Sequence, residues 1–219
     1  MIKLGSRGSP LALVQSRLVA AMLGQDADSI QSFMTSGDRL TGSLQDQGGK
    51  GLFTKELDEA LLDGRIDAAI HSMKDLPTRM PPGIVLAAVP CREDPRDGFI
   101  ALKGRTLMDL PPGATVGTAS LRRQAQTLHL RPDLKVALLR GRVETRLAKI
   151  ESGAFDATYL ALAGLKRLGL ERHAASVVDS EAMPPAPGQG ALAITARQGD
   201  AQTLALLEAL NIAGYSLAT

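Results

Sequence analysis

The chain contains no tryptophan, and aromatic residues make up only 3% of its 219 positions. Single-stranded nucleic acids are bound on stacked aromatic platforms, so that class of function is excluded. Neither charge sign is in excess: 25 Lys and Arg stand against 23 Asp and Glu, a formal net charge of +2. Neutralising duplex phosphates takes clustered cationic excess, which excludes a strongly basic nucleic-acid binder. A single cysteine forms no internal disulfide framework, and with only three histidines it offers poor material for a zinc site. No apolar run approaches the ~18 residues that cross a bilayer, and no basic region followed by a long apolar one opens the chain. These absences predict a cytoplasmic, soluble protein with no metal, nucleic acid or membrane partner.

What is present is a repeated rhythm of apolar strand, polar turn and helix, with 44% hydrophobic residues, enough to bury a real core. Ile2–Leu4 reads as a strand leading into Gly5-Ser6-Arg7-Gly8. Ser9 then suits a helix N-cap and Pro10 the first helical position, and Gly24 ends that helix. Ile30–Met34 reads as a strand and Thr35–Lys50 as a polar, glycine-containing loop. Phe53, Leu57, Ala60 and Leu61 share one helical face. Ile66–Ile70 is a short strand delivering His71-Ser72-Met73-Lys74-Asp75 at its end. Pro81-Pro82-Gly83, then Pro90 to Pro95 around Cys91, read as connecting chain. A second round follows: Thr115–Thr118 as a strand, then Ser120 capping a helix with Leu121, Ala125 and Leu128 on one face. Val136–Leu139 and Ala157–Ala163 read as strands flanking a helix through Val143, Leu147 and Ile150. After the Pro184–Gly188 breaker come a strand at Ala191–Thr195 and a helix at Thr203–Leu210.

This alternation predicts an α/β fold of mainly parallel sheets with flanking helices. The two breaker clusters predict two domains joined by two crossings, with a cleft between them: residues 1–90 with 190–211, and residues 96–185. Ligands of such sheets sit beyond the C-terminal strand ends, where strand order reverses. Arg7, Lys74 and Asp75 fall at strand ends in the first half; Arg122, Arg123, Arg140 and Arg167 fall at or just after them in the second. Eight arginines lie between Arg122 and Arg172. Their planar forks suit carboxylates or phosphates, and the helix start at Ser120 adds N–H donors. Composition alone equally allows a solvated helix face. Asp75 suits a cationic group or a developing positive charge, or simply a turn before Pro77. His71 reads as a packed histidine. Gly48-Gly49-Lys50-Gly51 lacks the spacing of a phosphate loop and reads as a flexible lid. Cys91 has no base partner in sequence and reads as inert.

Seven segments in register resemble the porphobilinogen deaminase (hydroxymethylbilane synthase) family over residues 2 to about 211. They are Ser6-Arg7-Gly8-Ser9-Pro10-Leu11-Ala12-Leu13, Gly48-Gly49-Lys50-Gly51-Leu52-Phe53, His71-Ser72-Met73-Lys74-Asp75, Arg92-Glu93-Asp94-Pro95-Arg96-Asp97, Gly117 to Arg123, Arg140-Gly141 and Gly188-Gln189-Gly190. The resemblance implies two domains similar to type II periplasmic binding proteins. It implies a monomeric transferase that deaminates four porphobilinogen units and joins them into a linear tetrapyrrole on a covalent dipyrromethane cofactor, in haem biosynthesis. By motif position, Asp75 is the catalytic residue, steadying the cationic azafulvene left when ammonia departs. Arg7, Ser9, Arg122, Arg123, Arg140, Arg146 and Arg167 would hold carboxylates, and Lys74 those of the cofactor. Lys50 and Phe53 would belong to a mobile loop, and Ser72, Thr118, Ser120 and Gln189 would complete the binding set.

Arg142 and Ala119 stand where the family commonly has Asn and Ser, a departure expected to tune the site. Asn211 is followed by Ile212-Ala213-Gly214-Tyr215, which resembles family sequence from just beyond the cofactor cysteine. The expectation is therefore that the attachment cysteine is absent, that residues 212–219 are a remnant of a third domain, and that this form is inactive. Cys91 matches a different family cysteine. The alternative reading is a non-catalytic module that binds small pyrrole carboxylates.

Overall fold

The computed structural model describes residues 1–39 and 51–211. Lys50 and residues 212–219 therefore lie outside the described residues, and so do the expectations attached to them. The described chain divides into two compact units: residues 1–39, 51–93 and 187–211 form unit 1, and residues 94–186 form unit 2.

Unit 1 begins with β1 (Leu4–Arg7), α1 (Pro10–Met22) and β2 (Ile30–Phe33). A four-residue helix α2 (Ser36–Arg39), α3 (Lys55–Leu62), β3 (Ala68–Ser72) and β4 (Ile84–Ala88) follow. The chain then forms unit 2: β5 (Asp97–Ala101), β6 (Thr115–Gly117), α4 (Leu121–Leu130), β7 (Lys135–Ala137), α5 (Val143–Glu151), β8 (Ala157–Ala161), α6 (Leu162–Arg167) and β9 (Ser176–Val177). It returns to unit 1 as β10 (Leu192–Arg197) and α7 (Ala201–Glu208).

Both sheets have five strands, ordered β2-β1-β3-β10-β4 and β7-β6-β8-β5-β9. They are mixed rather than mainly parallel. β1 runs parallel to β2 and β3, whereas β10 is antiparallel to both β3 and β4. β6 likewise runs parallel to β7 and β8, while β5 is antiparallel to β8 and β9. The reversed strand in each sheet is the one formed as the chain enters that unit from the other, so no βαβ crossover sets its direction. β4 lies between the two proline segments read as connecting chain, where no element was expected, and β5 starts two residues past Pro95.

Alternation along the strands supplies two cores per unit. In unit 1, Leu4, Ala68, Ile70, Leu192 and Ile194 pack with Val19 of α1 and Leu207 of α7. The opposite face, through Ala69, packs with Leu57 and Leu61 of α3 and with Ile66. Each fully buried leucine contributes about 1.5–3 kcal/mol relative to exposure. In unit 2, Phe99, Val116 and Tyr159 lie on one face, and Ile100 and Leu160 with Ile150 and Leu165 on the other. The caps form where the residues predict them. Ser9 accepts from the Ala12 N–H with Pro10 opening α1, and Ser120 accepts from the Arg123 N–H.

Strand ends fall later than hydrophobicity alone suggests. Gly5 to Arg7 pair with Gln31 to Phe33, and Ser72 pairs with Leu192, so ladder hydrogen bonds carry polar residues into the strands. Helix α4 departs most from its pattern. Leu121 is 58% exposed and Ala125 is exposed, whereas Arg123 and Thr127 face inward. Partners from elsewhere in unit 2 make that polar face the buried one.

Candidate functional site

In unit 1 the order β2-β1-β3 means that the chain leaves β1 to one side and arrives at β3 on the other. No crossover covers the point between the two strand ends, which is where open α/β sheets receive ligands. Arg7 ends β1; Ser72 ends β3, and a single 3-10 turn, Met73–Asp75, follows it. A pocket there is lined by Arg7, Ser9, Gln15, Phe53, His71, Ser72, Lys74 and Asp75, among others. Six of the expected site residues are thus brought together: Arg7, Ser9, Phe53, Ser72, Lys74 and Asp75.

Arg7 is the hub. Its Nε and Nη2 both reach the Asp38 carboxylate, Nε at 3.3 Å, and its Nη1 stands 3.7 Å from Asp75 Oδ2. The Phe53 ring covers the guanidinium at 4.4 Å from its centroid. The Lys74 ammonium donates to Gln189 Oε1 at 3.3 Å, which ties the turn to the returning chain. Gly188 makes that approach possible. It sits at φ +69°, and a Cβ there would lie 2.9 Å from Met73 Cγ.

His71 is buried, with Nε2 3.2 Å from Thr195 Oγ1. Burial, aided by the Arg7 charge, pushes its pKa down to about 4, so it is a neutral packing group, as its sequence position suggests. Gln15 was not anticipated. Its side chain, almost fully buried, donates to Ser72 Oγ at 3.0 Å. The available signal was a polar run, Gln15-Ser16-Arg17, in an otherwise apolar helix. Cys91 packs partly buried against the unit 1 core.

In unit 2 the same order reversal falls between β6 and β8. Thr118 and Ser120 follow β6: Thr118 Oγ1 accepts the Ser120 N–H at 3.1 Å, and Ser120 caps α4. Arg140 follows β7, Arg146 lies on α5 with Nε donating to the Gly141 carbonyl at 2.8 Å, and Arg167 ends α6.

Arg122 and Arg123 converge on Asp97, a β5 residue only 2% exposed. Arg123 is itself buried. Its Nε and Nη2 bind Asp97 at 3.1 and 2.7 Å, and Nη1 donates to the Tyr159 carbonyl at 3.0 Å. Every guanidinium nitrogen of Arg123 thus has a partner inside the unit. Arg122 differs. Nη2 reaches Asp97 at 2.8 Å and Nη1 the Pro184 carbonyl at 2.8 Å, while its Nε is buried without a hydrogen-bond partner. Two guanidiniums on one carboxylate leave a positive cluster with a donor to spare, which suits an incoming anion. Burial would raise Asp97, but hydrogen bonds and charge from Arg123 and Arg122 hold it down at about 2.

Residues 2–205 match the family model described as porphobilinogen deaminase, dipyromethane cofactor binding domain. A porphobilinogen deaminase of Caulobacter sp. (strain K31) is 55% identical over 229 residues, covering 99% of this chain and 72% of its own length. One from Phenylobacterium zucineum is 53% identical over 214 residues, covering 91% of this chain and 67% of its own. The chain thus spans about two thirds to seven tenths of these relatives. Among solved structures, a periplasmic substrate-binding protein of an ABC transporter from Coxiella burnetii aligns with TM-score 0.55 and 18% identity, over 96% of this chain and 92% of its own. A protein named as a putative methionine-binding lipoprotein from Bacillus subtilis aligns with TM-score 0.54 and 17% identity, over 95% of this chain and 89% of its own. At that identity the likeness is one of fold.

The Asp97 cluster generates a stability prediction. Its folded pKa lies below the ordinary value of 3.8, so its contribution is present above that value and is lost as pH falls toward about 2. Urea unfolding of the wild type should lose this part over that interval, and Asp97→Asn should not. At neutral pH, Asp97→Asn should cost about 3–5 kcal/mol, because Arg123 is left as an uncompensated buried charge. Adding Arg123→Met should restore part of it, whereas a neutral pH stability equal to wild type in the single variant would show the pair to be dispensable.

Proposed function

The chain belongs to the porphobilinogen deaminase family, and from that premise we propose that Asp75 is the centre of a hydroxymethylbilane-synthesising transferase. The carrying observation is a carboxylate on a strand-end turn, next to Lys74 and 3.7 Å from an arginine whose fork is taken by another aspartate. Porphobilinogen bears an aminomethyl group, an acetate and a propionate on one pyrrole. Breaking its C–N bond expels ammonia and leaves an azafulvene cation delocalised onto the pyrrole nitrogen. A fixed carboxylate facing that N–H stabilises the charge as it forms. The free α-carbon of the growing chain then attacks the methylene carbon, and loss of the α-proton restores the pyrrole.

The accumulating acetates and propionates call for cationic ligands. We assign that role to Lys74 in unit 1 and to Arg122, Arg140, Arg146 and Arg167 in unit 2, with the Ser9 and Ser72 hydroxyls as neutral donors, while Arg7, its fork on Asp38, sets the charge beside Asp75. Thr118, Ser120 and Gln189 orient them. Dipyrromethane, the cofactor named by the matching family domain, supplies when bound the free α-carbon that receives the first substrate. The unpartnered buried Nε of Arg122, in a cluster of net positive charge, suits the carboxylates that such a group carries. Lys74 is the proposed unit 1 ligand for the same kind of group. The only cysteine is Cys91, and its packing against the unit 1 core speaks against a thioether there.

Two measurements test this reading. In a protein that joins this chain to the third domain of its family, Asp75→Asn should lower porphobilinogen turnover by at least ~two orders of magnitude, the usual cost of removing a preorganised partner of developing charge. Turnover close to wild type would move that role to another group and favour a module that only binds anions. Calorimetric titration with porphobilinogen compares two charge reversals. Arg140→Glu should weaken binding by about 1.5–3 kcal/mol, while Arg172→Glu, on an exposed turn, should change it by less than ~0.5 kcal/mol. Equal losses would indicate a diffuse field rather than a site.

A further inference from the structure

A carboxylate meant to stabilise a cation loses that ability if a neighbouring arginine neutralises it. Arg7 is such a neighbour, with Nη1 3.7 Å from Asp75 Oδ2. The geometry divides its charge unequally. Asp38 takes the guanidinium edge through both Nε and Nη2, whereas Asp75 receives one nitrogen at a distance beyond a hydrogen bond. A bidentate fork-to-carboxylate pair is the strong contact of the two.

Asp38 is itself built in. Its Oδ2 accepts from Thr35 Oγ1 at 2.7 Å and from the Thr35 N–H at 3.3 Å, and Thr35 is fully buried. Burial would raise Asp38, but the hydrogen bonds from Arg7 and Thr35 keep it ionised, below the ordinary carboxylate value. The far face of the guanidinium is closed by Phe53. Phe53 reaches that position because residue 37 is glycine: a Cβ there would lie 2.4 Å from the ring. Among Arg7, Asp38 and Asp75 alone, two carboxylates and one guanidinium leave one negative charge, and the weaker contact places it on the pocket side, at Asp75; the neighbouring Lys74 ammonium donates to Gln189.

We propose that Asp38 is a positioning residue for the deamination step: by clamping Arg7 it keeps Asp75 from being neutralised, so that Asp75 faces the substrate's positive charge as a free carboxylate. The inference rests on the deaminase reading. It adds a residue from the polar segment after β2 to which sequence reasoning gave no role, and it explains how an arginine and a cation-stabilising carboxylate coexist at one strand end. Without Asp38, the Arg7 fork turns fully to Asp75, or to a substrate carboxylate.

The test is calorimetry on the 219-residue chain and on Asp38→Asn, with two probes. One is porphobilinogen, which carries an ammonium; the other is its analogue with hydrogen in place of the aminomethyl group. Asp38→Asn should weaken porphobilinogen about tenfold, as expected for removing one half-exposed charge partner. The analogue should bind equally well or more tightly, because its carboxylates gain the released Arg7 fork. An equal loss for both probes would reduce Asp38 to a merely structural role, and no loss for either would overturn the proposal. An independent readout is the Arg7 Nε–H signal in nitrogen-resolved NMR, identified by its loss in Arg7→Lys. It should be protected from exchange in wild type and lose that protection in Asp38→Asn; unchanged protection overturns the clamp. If wild type binds neither probe, the deaminase reading fails, and this signal alone then decides whether the clamp exists.

Discussion

In each unit the chain winds one way from its first strand and the other way to its third, and this reversal governs where chemistry can occur. In unit 1 it parts the ends of β1 and β3; in unit 2 it parts those of β6 and β8. Helices cannot pass over such a gap, so backbone groups and side chains at the strand ends stay open to a ligand. Four or five residues of strand put Arg7 and Ser72 at the last ladder pairs and Lys74 and Asp75 just past them. Ser9 and Ser120 are there because the following helices begin within two or three residues of the strand ends, each capped by its own hydroxyl.

Aspartates then decide what the arginines can do. In unit 2, Asp97 holds two guanidiniums and leaves one of them, Arg122, with a buried donor unused. In unit 1, Asp38 holds one guanidinium and leaves a second carboxylate, Asp75, only loosely engaged. The same residue types in different proportion leave an unused cationic donor in one unit and a loosely held carboxylate in the other. Counting arginines along the sequence does not reveal this division, because it depends on which of them are already paired.

That is also where sequence reasoning stopped. Ser9-Pro10 and Ser120 announced their helices because capping is local, and the strand-end positions of Arg7 and Asp75 followed from alternation of strand and helix. The roles of Arg123, Asp97 and Asp38 are not local. Asp97 is 26 positions from Arg123, and Asp38 is 31 from Arg7; nothing within a helical or strand period connects them. The inward face of α4 was misjudged for the same reason: Arg123 and Thr127 are buried by Asp97 and Tyr159, partners that a periodicity count cannot see. Strands β4 and β5 were obscured because prolines at Pro81, Pro82, Pro90 and Pro95 flank them, and a flanking proline does not prevent a strand between.

The reversed strands bear on how the unit 1 site is assembled. β10 fills the place between β3 and β4, and β4 pairs with no other strand. The segment preceding β10 carries Gly188 and Gln189 against the turn that holds Lys74 and Asp75, and Met73 donates its N–H to the Ala191 carbonyl at 3.0 Å. This turn therefore gains its support from residues more than a hundred positions downstream, after all of unit 2 has been made. Such long-range closure is entropically slow, and until it occurs β3 is an unprotected edge. The sheet order that opens unit 1 to a ligand thus also makes its site one of the last parts of the chain to be completed.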